Sequence, residues 1–186
     1  MFNRQEVCRG MMSNIGEKSM ILIANKMKDI SYSQLMRVYA ESNRLTANQR
    51  FLDADYFQGL LLAEQDLYQY LRDSFFAVTG AFCVIWEEQG NYVSALRMEP
   101  YQDGYLIESL ETVPEERRKG YAKKLIHGAL DYVRQNGCGN VYVHIANCNH
   151  ISYRTHLSCG FEPYLQYAVL IDGSVSQSYV TLRYSG

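Results

Sequence analysis

Five basic side chains and one glycine crowd together at Arg117, Arg118, Lys119, Gly120, Lys123 and Lys124. That grouping suits the binding of an anion. A helix start offers unpaired backbone N–H groups and the positive end of the helix dipole. Glycine lacks a Cβ, so a phosphate can approach the main chain there. An ordinary solvated basic helix start carries the same signal, because one glycine among basic residues is weakly specific. Upstream lie two carboxylates, Glu108 and Glu111; downstream lie His144, Asn149 and His156. Histidine titrates near neutrality, at a pKa of about 6.5, so either ring is chemically suited to moving a proton.

The elements that must hold these residues follow from hydrophobic period. Tyr105–Val113 is strand-like, and Pro114 stops it. Glu115 and Glu116 are good first-turn residues for the helix that follows. From Arg117 to Asn136 the period becomes helical, with Ala122, Leu125, Ile126, Ala129, Leu130 and Val133 on one face. Gly137 stands where that helix would end. Upstream, Met20–Ala24 reads as a strand and Ser31–Ser42 as a helix capped by Ser31 or Ser33. Asn43–Asn48 reads as a polar loop, and Leu52–Asp73 as a long helix beginning near Asp53. Phe75–Glu87 reads as a strand that Gly80 could break. Gln89-Gly90-Asn91 turns it into a partner at Tyr92–Met98, and Pro100–Gly104 makes a second turn. Downstream, Val141–Ala146 alternates as a strand should. A short helix spans His150–Ser158, and strands at Phe161–Ile171 and Val175–Tyr184 join through Asp172-Gly173-Ser174. Residues 1–19 carry no clear pattern and read as a leader or an extra helix. The order is β-α-α-β-β-β-α-β-α-β-β. It predicts an α/β (α+β) fold with a mixed, mostly antiparallel sheet and helices on both faces.

Composition narrows the function classes. At 186 residues, with 47% hydrophobic content, the chain suits one domain with a sizeable core. A net charge of −2 is unlike a general nucleic-acid binder. No apolar run approaches the ~18 residues of a membrane span, and MFNRQEVCRG lacks the apolar centre of a secretory signal. Five cysteines (Cys8, Cys83, Cys138, Cys148, Cys159) in irregular spacing suggest neither zinc nor a disulfide framework. Free thiols in a cytoplasmic protein are the simplest reading.

The residues around Gly120 also carry a resemblance. RRKGYA resembles the Arg/Gln-x-x-Gly-x-Gly/Ala acetyl-CoA-binding motif of the GCN5-related N-acetyltransferase (GNAT) family, with Arg117, Gly120 and Ala122 in its three defined places. LETVPEE is similar to the family's strand ending Val-x-Pro-Glu, with the intervening residue absent. NHISYRTHLSCGF, from Asn149 to Phe161, resembles the second signature: Asn, a helix, then Gly-Phe. The resemblance covers about residues 74 to 186.

It implies transfer of an acetyl group from acetyl-CoA to a primary amine of a small molecule or peptide, by direct attack in a ternary complex. The pantetheine arm would lie between Tyr105–Val113 and Val141–Ala146, against the main chain of Glu111, Thr112 and Val113. A backbone N–H there would meet the thioester oxygen. The pyrophosphate would rest on the main chain from Arg118 through Lys119, Gly120, Tyr121 and Ala122 to Lys123, beside Arg117, with Asn149 and Ser152 also at the cofactor. The family's leaving-thiolate acid is a tyrosine seven residues after the signature Asn. Here His156 stands in that place, with Tyr153 as substitute. Glu111, Glu108 and His144 are the candidate bases, with ordered water as the alternative. Arg97 and Glu99 could border the acceptor, and Trp86 reads as a packed strand residue. No metal is implied, and a homodimer is compatible with the family. A non-catalytic CoA-binding protein of the same fold, or a transferase of another acyl group, are the competing expectations.

Overall fold

A computed structural model describes residues 9–10, 19–137 and 139–186. The expectation of a leader or extra helix over residues 1–19 therefore lies almost wholly outside the described residues. Within them, β1 (Arg9–Gly10), β2 (Ser19–Ala24), β3 (Phe82–Glu88), β4 (Asn91–Tyr101), β5 (Gly104–Thr112), β6 (Asn140–Ala146), β7 (Glu162–Leu165) and β10 (Tyr179–Ser185) form one sheet. Its order is β1-β2-β3-β4-β5-β6-β10-β7, and a separate ribbon pairs β8 (Ala168–Val169) with β9 (Val175–Ser176). Every pair in the large sheet is antiparallel except β5 with β6.

Strand alternation splits the core in two. One face of β2, β3 and β4 sends Ile23, Phe82, Val84, Leu96 and Met98 onto α4 (Tyr121–Gln135). There they meet Leu125, Ile126, Ala129, Leu130 and Val133, the stripe that the sequence predicts. The other face sends Leu22, Ala24, Cys83, Ile85 and Ala95 against α1 (Tyr32–Val38) and α3 (Tyr56–Asp73), with Leu35, Met36, Val38 and Leu71 opposite. Helices thus cover both faces, as predicted.

Four expectations need correction. Residues 43–48 are not a loop: they lie in α2 (Ala40–Arg50), a mostly exposed helix that buries Asn43 and Ala47. Packing against α3 holds that helix, and its weak apolar period hid it. The start of α3 is capped by Asp55, not Asp53; the Asp55 carboxylate accepts from the Phe57 and Gln58 N–H groups at 2.9 and 3.0 Å. Residues 75–81 are not strand, since Phe75–Ala77 forms a 3-10 turn that seats Phe75 in the core. The expected Phe161–Ile171 strand is divided: β7 pairs β10, and β8 leaves to pair β9.

Candidate active site

β5 and β6 pair only from Gly104 to Ile107 and from Asn140 to Val143. At that end they are pressed together: a Cβ on Gly104 would sit 2.0 Å from the Asn140 carbonyl oxygen. Beyond Ile107 and Val143 the ladder stops, and the strands part. A bulge begins on β5 at the same point. Arg97 on β4 faces Glu108 and Ala95 faces Glu111, so Ser109 and Leu110 together oppose Leu96. Ser109, within the bulge, takes a positive φ of 49°.

The bulge decides where the carboxylates point. Residues three apart on a regular strand face opposite sides. The extra residue returns Glu111 to the side of Glu108, facing α1–α3. Glu111 Oε1 accepts a hydrogen bond from Ser42 Oγ at the start of α2. Burial raises its pKa above the ordinary carboxylate range, while the Ser42 bond pulls it back down. Glu108 lies 3.8 Å from Arg97 Nη2, and its Oε2 is buried without a hydrogen-bond partner. Arg97 reaches Ser109 Oγ at 2.6 Å and lies over the Tyr70 and Phe75 rings. Glu99 is buried beside it, and burial first, then Glu108, raises its pKa. Arg97 and Glu99 therefore sit under α3, on the same side as Glu111.

Main-chain direction at the end of β5 follows from one bond. The Val113 N–H donates to the Val93 carbonyl at 2.9 Å. Antiparallel strands alternate the direction of their N–H and C=O groups. Thr112 therefore turns its groups away from β4, toward the gap. Its carbonyl there accepts from Arg117 Nε at 3.1 Å. The main-chain donor facing the gap is that of Thr112, since Val113 spends its own on β4.

The basic turn follows directly. Pro114–Glu116 is a 3-10 turn, Arg118 has φ 65°, and Gly120 has φ 84° at the N-cap of α4. That left-handed value calls for glycine. A Cβ added at Gly120 would have no heavy atom within 4 Å, so the space above it is open. The positive charge is less concentrated than the sequence suggests. Arg117 pairs with Glu41, and Lys119 Nζ lies 2.8 Å from Glu116. Lys124 lies 5.2 Å from both the Trp86 and Tyr121 ring centres. Trp86 is accordingly a packed strand residue beside the start of α4.

Both histidines lie inside the fold. His144 has both ring nitrogens engaged: Nε2 lies 3.1 Å from the Val169 carbonyl and Nδ1 3.0 Å from Thr181 Oγ. Neither is left to accept a proton from an amine, and burial lowers its pKa. His156 is 1% exposed, with its ring edge-on to Phe161. Its Nδ1 donates to the Ser152 carbonyl at 2.9 Å, so a neutral ring carries its proton there. Nε2 is buried without a partner. Burial lowers its pKa and favours the neutral ring, whose one proton is spent on the Ser152 carbonyl. Asn149 caps α5 (His150–Leu157), its Oδ1 accepting from Ser152 N at 3.0 Å. Tyr153 packs partly buried on the α4-side core.

Sequence reasoning missed Glu41, Ser42 and Ser94. Ser94 Oγ donates to the Glu111 carbonyl at 2.7 Å and steadies the strand end. Glu41 and Ser42 come from a helix 76 and 69 residues away from their partners, a distance no local pattern spans. A cavity of about 380 Å³ lies at the far end of α4, lined by Phe76–Phe82, Tyr105, Val133 and Asn136, away from the gap. Among the described residues, no helix is long and apolar enough to cross a membrane.

The fold has clear relatives. PaiA N-acetyltransferase from Thermoplasma acidophilum, solved in complex with coenzyme A, superposes with a TM-score of 0.62 at 12% identity, over 89% of this chain and 99% of that one. IAA acetyltransferase from Bacillus cereus gives 0.56 at 12% identity, with 89% and 99% covered. A spermidine N-acetyltransferase SpeG chimera from Vibrio cholerae and hSSAT gives 0.56 at 17% identity, with 89% and 95% covered. No curated protein matches the sequence significantly. The model of the acetyltransferase (GNAT) family matches residues 45–161, which run from within α2 through α3, the bulged strand, the Gly120 turn and the gap. The chain belongs to the GNAT acetyltransferase family.

Proposed function

We propose that this protein is an acetyl-CoA-dependent N-acetyltransferase acting on a primary amine through a ternary complex, as one cytoplasmic domain over residues 1–186. The observation that carries the reading is the parting of β5 from β6 immediately before a left-handed glycine at a helix start. The coenzyme A bound by the Thermoplasma relative supports the choice of donor. The pantetheine lies in the gap against Glu111, Thr112 and Val113. The pyrophosphate rests on the N–H groups from Arg118 through Gly120 to Lys123, beside Arg117. Asn149 and Ser152 lie at the far wall.

The amine approaches from the α1–α3 side, where Glu111 takes its proton. Its nitrogen then bonds to the thioester carbon, the C–S bond breaks with its electron pair on sulfur, and the second proton leaves the nitrogen for the departing thiolate or water. The Thr112 N–H faces the oxygen that becomes negative; such a donor is worth about 3–4 kcal/mol in the transition state. A positioned base contributes roughly 10²–10⁴-fold. Burial holds Glu111 nearer neutrality, which suits a base. A thiol with a pKa of about 8.5 can leave as thiolate near neutral pH, so neither His144 nor His156 is assigned a proton transfer.

The test is calorimetry with CoA and acetyl-CoA, then thiol release on a diamine, an amino acid, an aminoglycoside and a short peptide. Gly120→Glu places a carboxylate where the pyrophosphate would lie, and acetyl-CoA binding should be lost. Unchanged affinity removes the site. The buried His156 favours one competing reading, a non-catalytic CoA-binding protein. Binding without turnover on any amine would establish it.

A further inference from the structure

The first turn of α2 reaches the reactive end of β5 at two points. Glu41 pairs with Arg117, and Ser42 Oγ donates to Glu111 Oε1. That turn is fixed from beneath. Tyr39, just before it, is 2% exposed, and Asn43, just after it, is 3% exposed with its Nδ2 on Met36 Sδ. Ser42 is thus held between two buried neighbours, with its hydroxyl over a carboxylate 69 residues away.

We propose that Ser42 is a positioning residue for Glu111: its hydroxyl holds the carboxylate on the α1–α3 side of β5, from which the amine approaches, and favours the ionised form that can accept the amine proton. This rests on the reading of Glu111 as the base. A Ser hydroxyl has one proton to donate, and here Glu111 Oε1 accepts it as a hydrogen bond. The charged and titratable groups around Glu111 are Glu41 on α2, Tyr39 at the α1–α2 junction and Arg117 on the turn. Glu41 disfavours its charge and Arg117 favours it, and those two pair with each other, so their influences largely offset. The Ser42 bond is the main contact opposing burial. Without it, burial would raise the carboxyl further above the ordinary range.

The test compares wild type with Ser42→Ala, Ser42→Thr and Glu111→Gln. The pH dependence of kcat/KM is measured with acetyl-CoA and the panel amine of highest turnover. The Glu111 carboxyl is titrated in parallel by carbon NMR of protein labelled at glutamate side chains. Ser42→Ala should move the acid limb and the carboxyl titration upward by about one pH unit, with acetyl-CoA affinity unchanged. Ser42→Thr, which keeps the hydroxyl, should restore both. An Ala variant whose limb and titration match wild type overturns the proposal. A Glu111→Gln enzyme that keeps its turnover and acid limb instead removes Glu111 as base, while the carboxyl titration still decides whether Ser42 governs it.

Discussion

His156→Asn separates a core histidine from a catalytic one. The folded ring is buried and donates from Nδ1 to the Ser152 carbonyl, and burial lowers its pKa. In the unfolded chain a histidine titrates near its ordinary value of about 6.5. The unfolded state therefore takes up this proton first as pH falls. Stability from the neutral ring is fully present above about pH 6.5 and is lost below it, until the folded ring also titrates. In that window the slope approaches about 1.4 kcal/mol per pH unit for one proton. Asparagine keeps an N–H near the Ser152 carbonyl but does not titrate. The variant should lose roughly 1–3 kcal/mol at neutral pH from the smaller side chain. Its unfolding free energy should also fall less steeply between pH 6.5 and 5, by up to one proton's slope. Urea unfolding at pH 5, 5.5, 6, 7 and 8, with linear extrapolation, reads this directly. Turnover at pH 7.5 should stay within a few-fold. Equal slopes in both proteins, or a variant that unfolds normally but loses most of its turnover, would refute a purely structural His156.

Two further substitutions probe the closed end of the gap and the turn. Gly104→Ala drives a methyl to 2.0 Å from the Asn140 carbonyl oxygen, where backbone must move on both strands. It should cost about 1–3 kcal/mol, at roughly 2–4 °C of Tm per kcal/mol for a chain of this size. An unchanged melting curve would mean that β5 and β6 are loose at that end too. Glu41→Gln releases Arg117 from an exposed ion pair worth at most about 1 kcal/mol, so stability should barely change. Acetyl-CoA should bind a few-fold tighter at low salt, because the guanidinium no longer divides its charge between Glu41 and a pyrophosphate; weaker binding would show that Glu41 assists the cofactor.

Most of the frame was legible in the sequence because its signals are local. The α4 stripe and the hairpin at Gln89-Gly90-Asn91 each depend on neighbours a few residues away. α2 was missed because its sequence, AESNRLTANQR, is polar on nearly every side and is held by α3 rather than by its own period. Asp55 and Asp53 are equally good caps on paper, and the chain geometry that selects Asp55 is tertiary. Positions 144 and 156 were visible as titratable groups, but their burial was not. A residue type gives a pKa range, and the enclosure that moves His144 within it comes from Thr181 and the Val169 carbonyl, 37 and 25 residues away; for His156 it includes Phe161, brought over the ring by the turn that ends α5.

The bulge at Ser109-Leu110 had no signal, since serine at φ 49° is not what a bulge advertises. Yet it settles the geometry of the site. Without the extra residue, Glu111 would turn to the α4 side, where on the proposed reading a carboxylate would repel the cofactor's diphosphate. With it, one short stretch of β5 works in three directions. Leu110 packs on the α4 side, the Thr112 main chain faces the gap, and Glu111 faces Ser42 under α2. On the proposed reading, the amine reaches the thioester carbon from the α1–α3 side while the diphosphate rests at the start of α4. The proposed base and the proposed phosphate-binding turn then stay separated by the thickness of the strand.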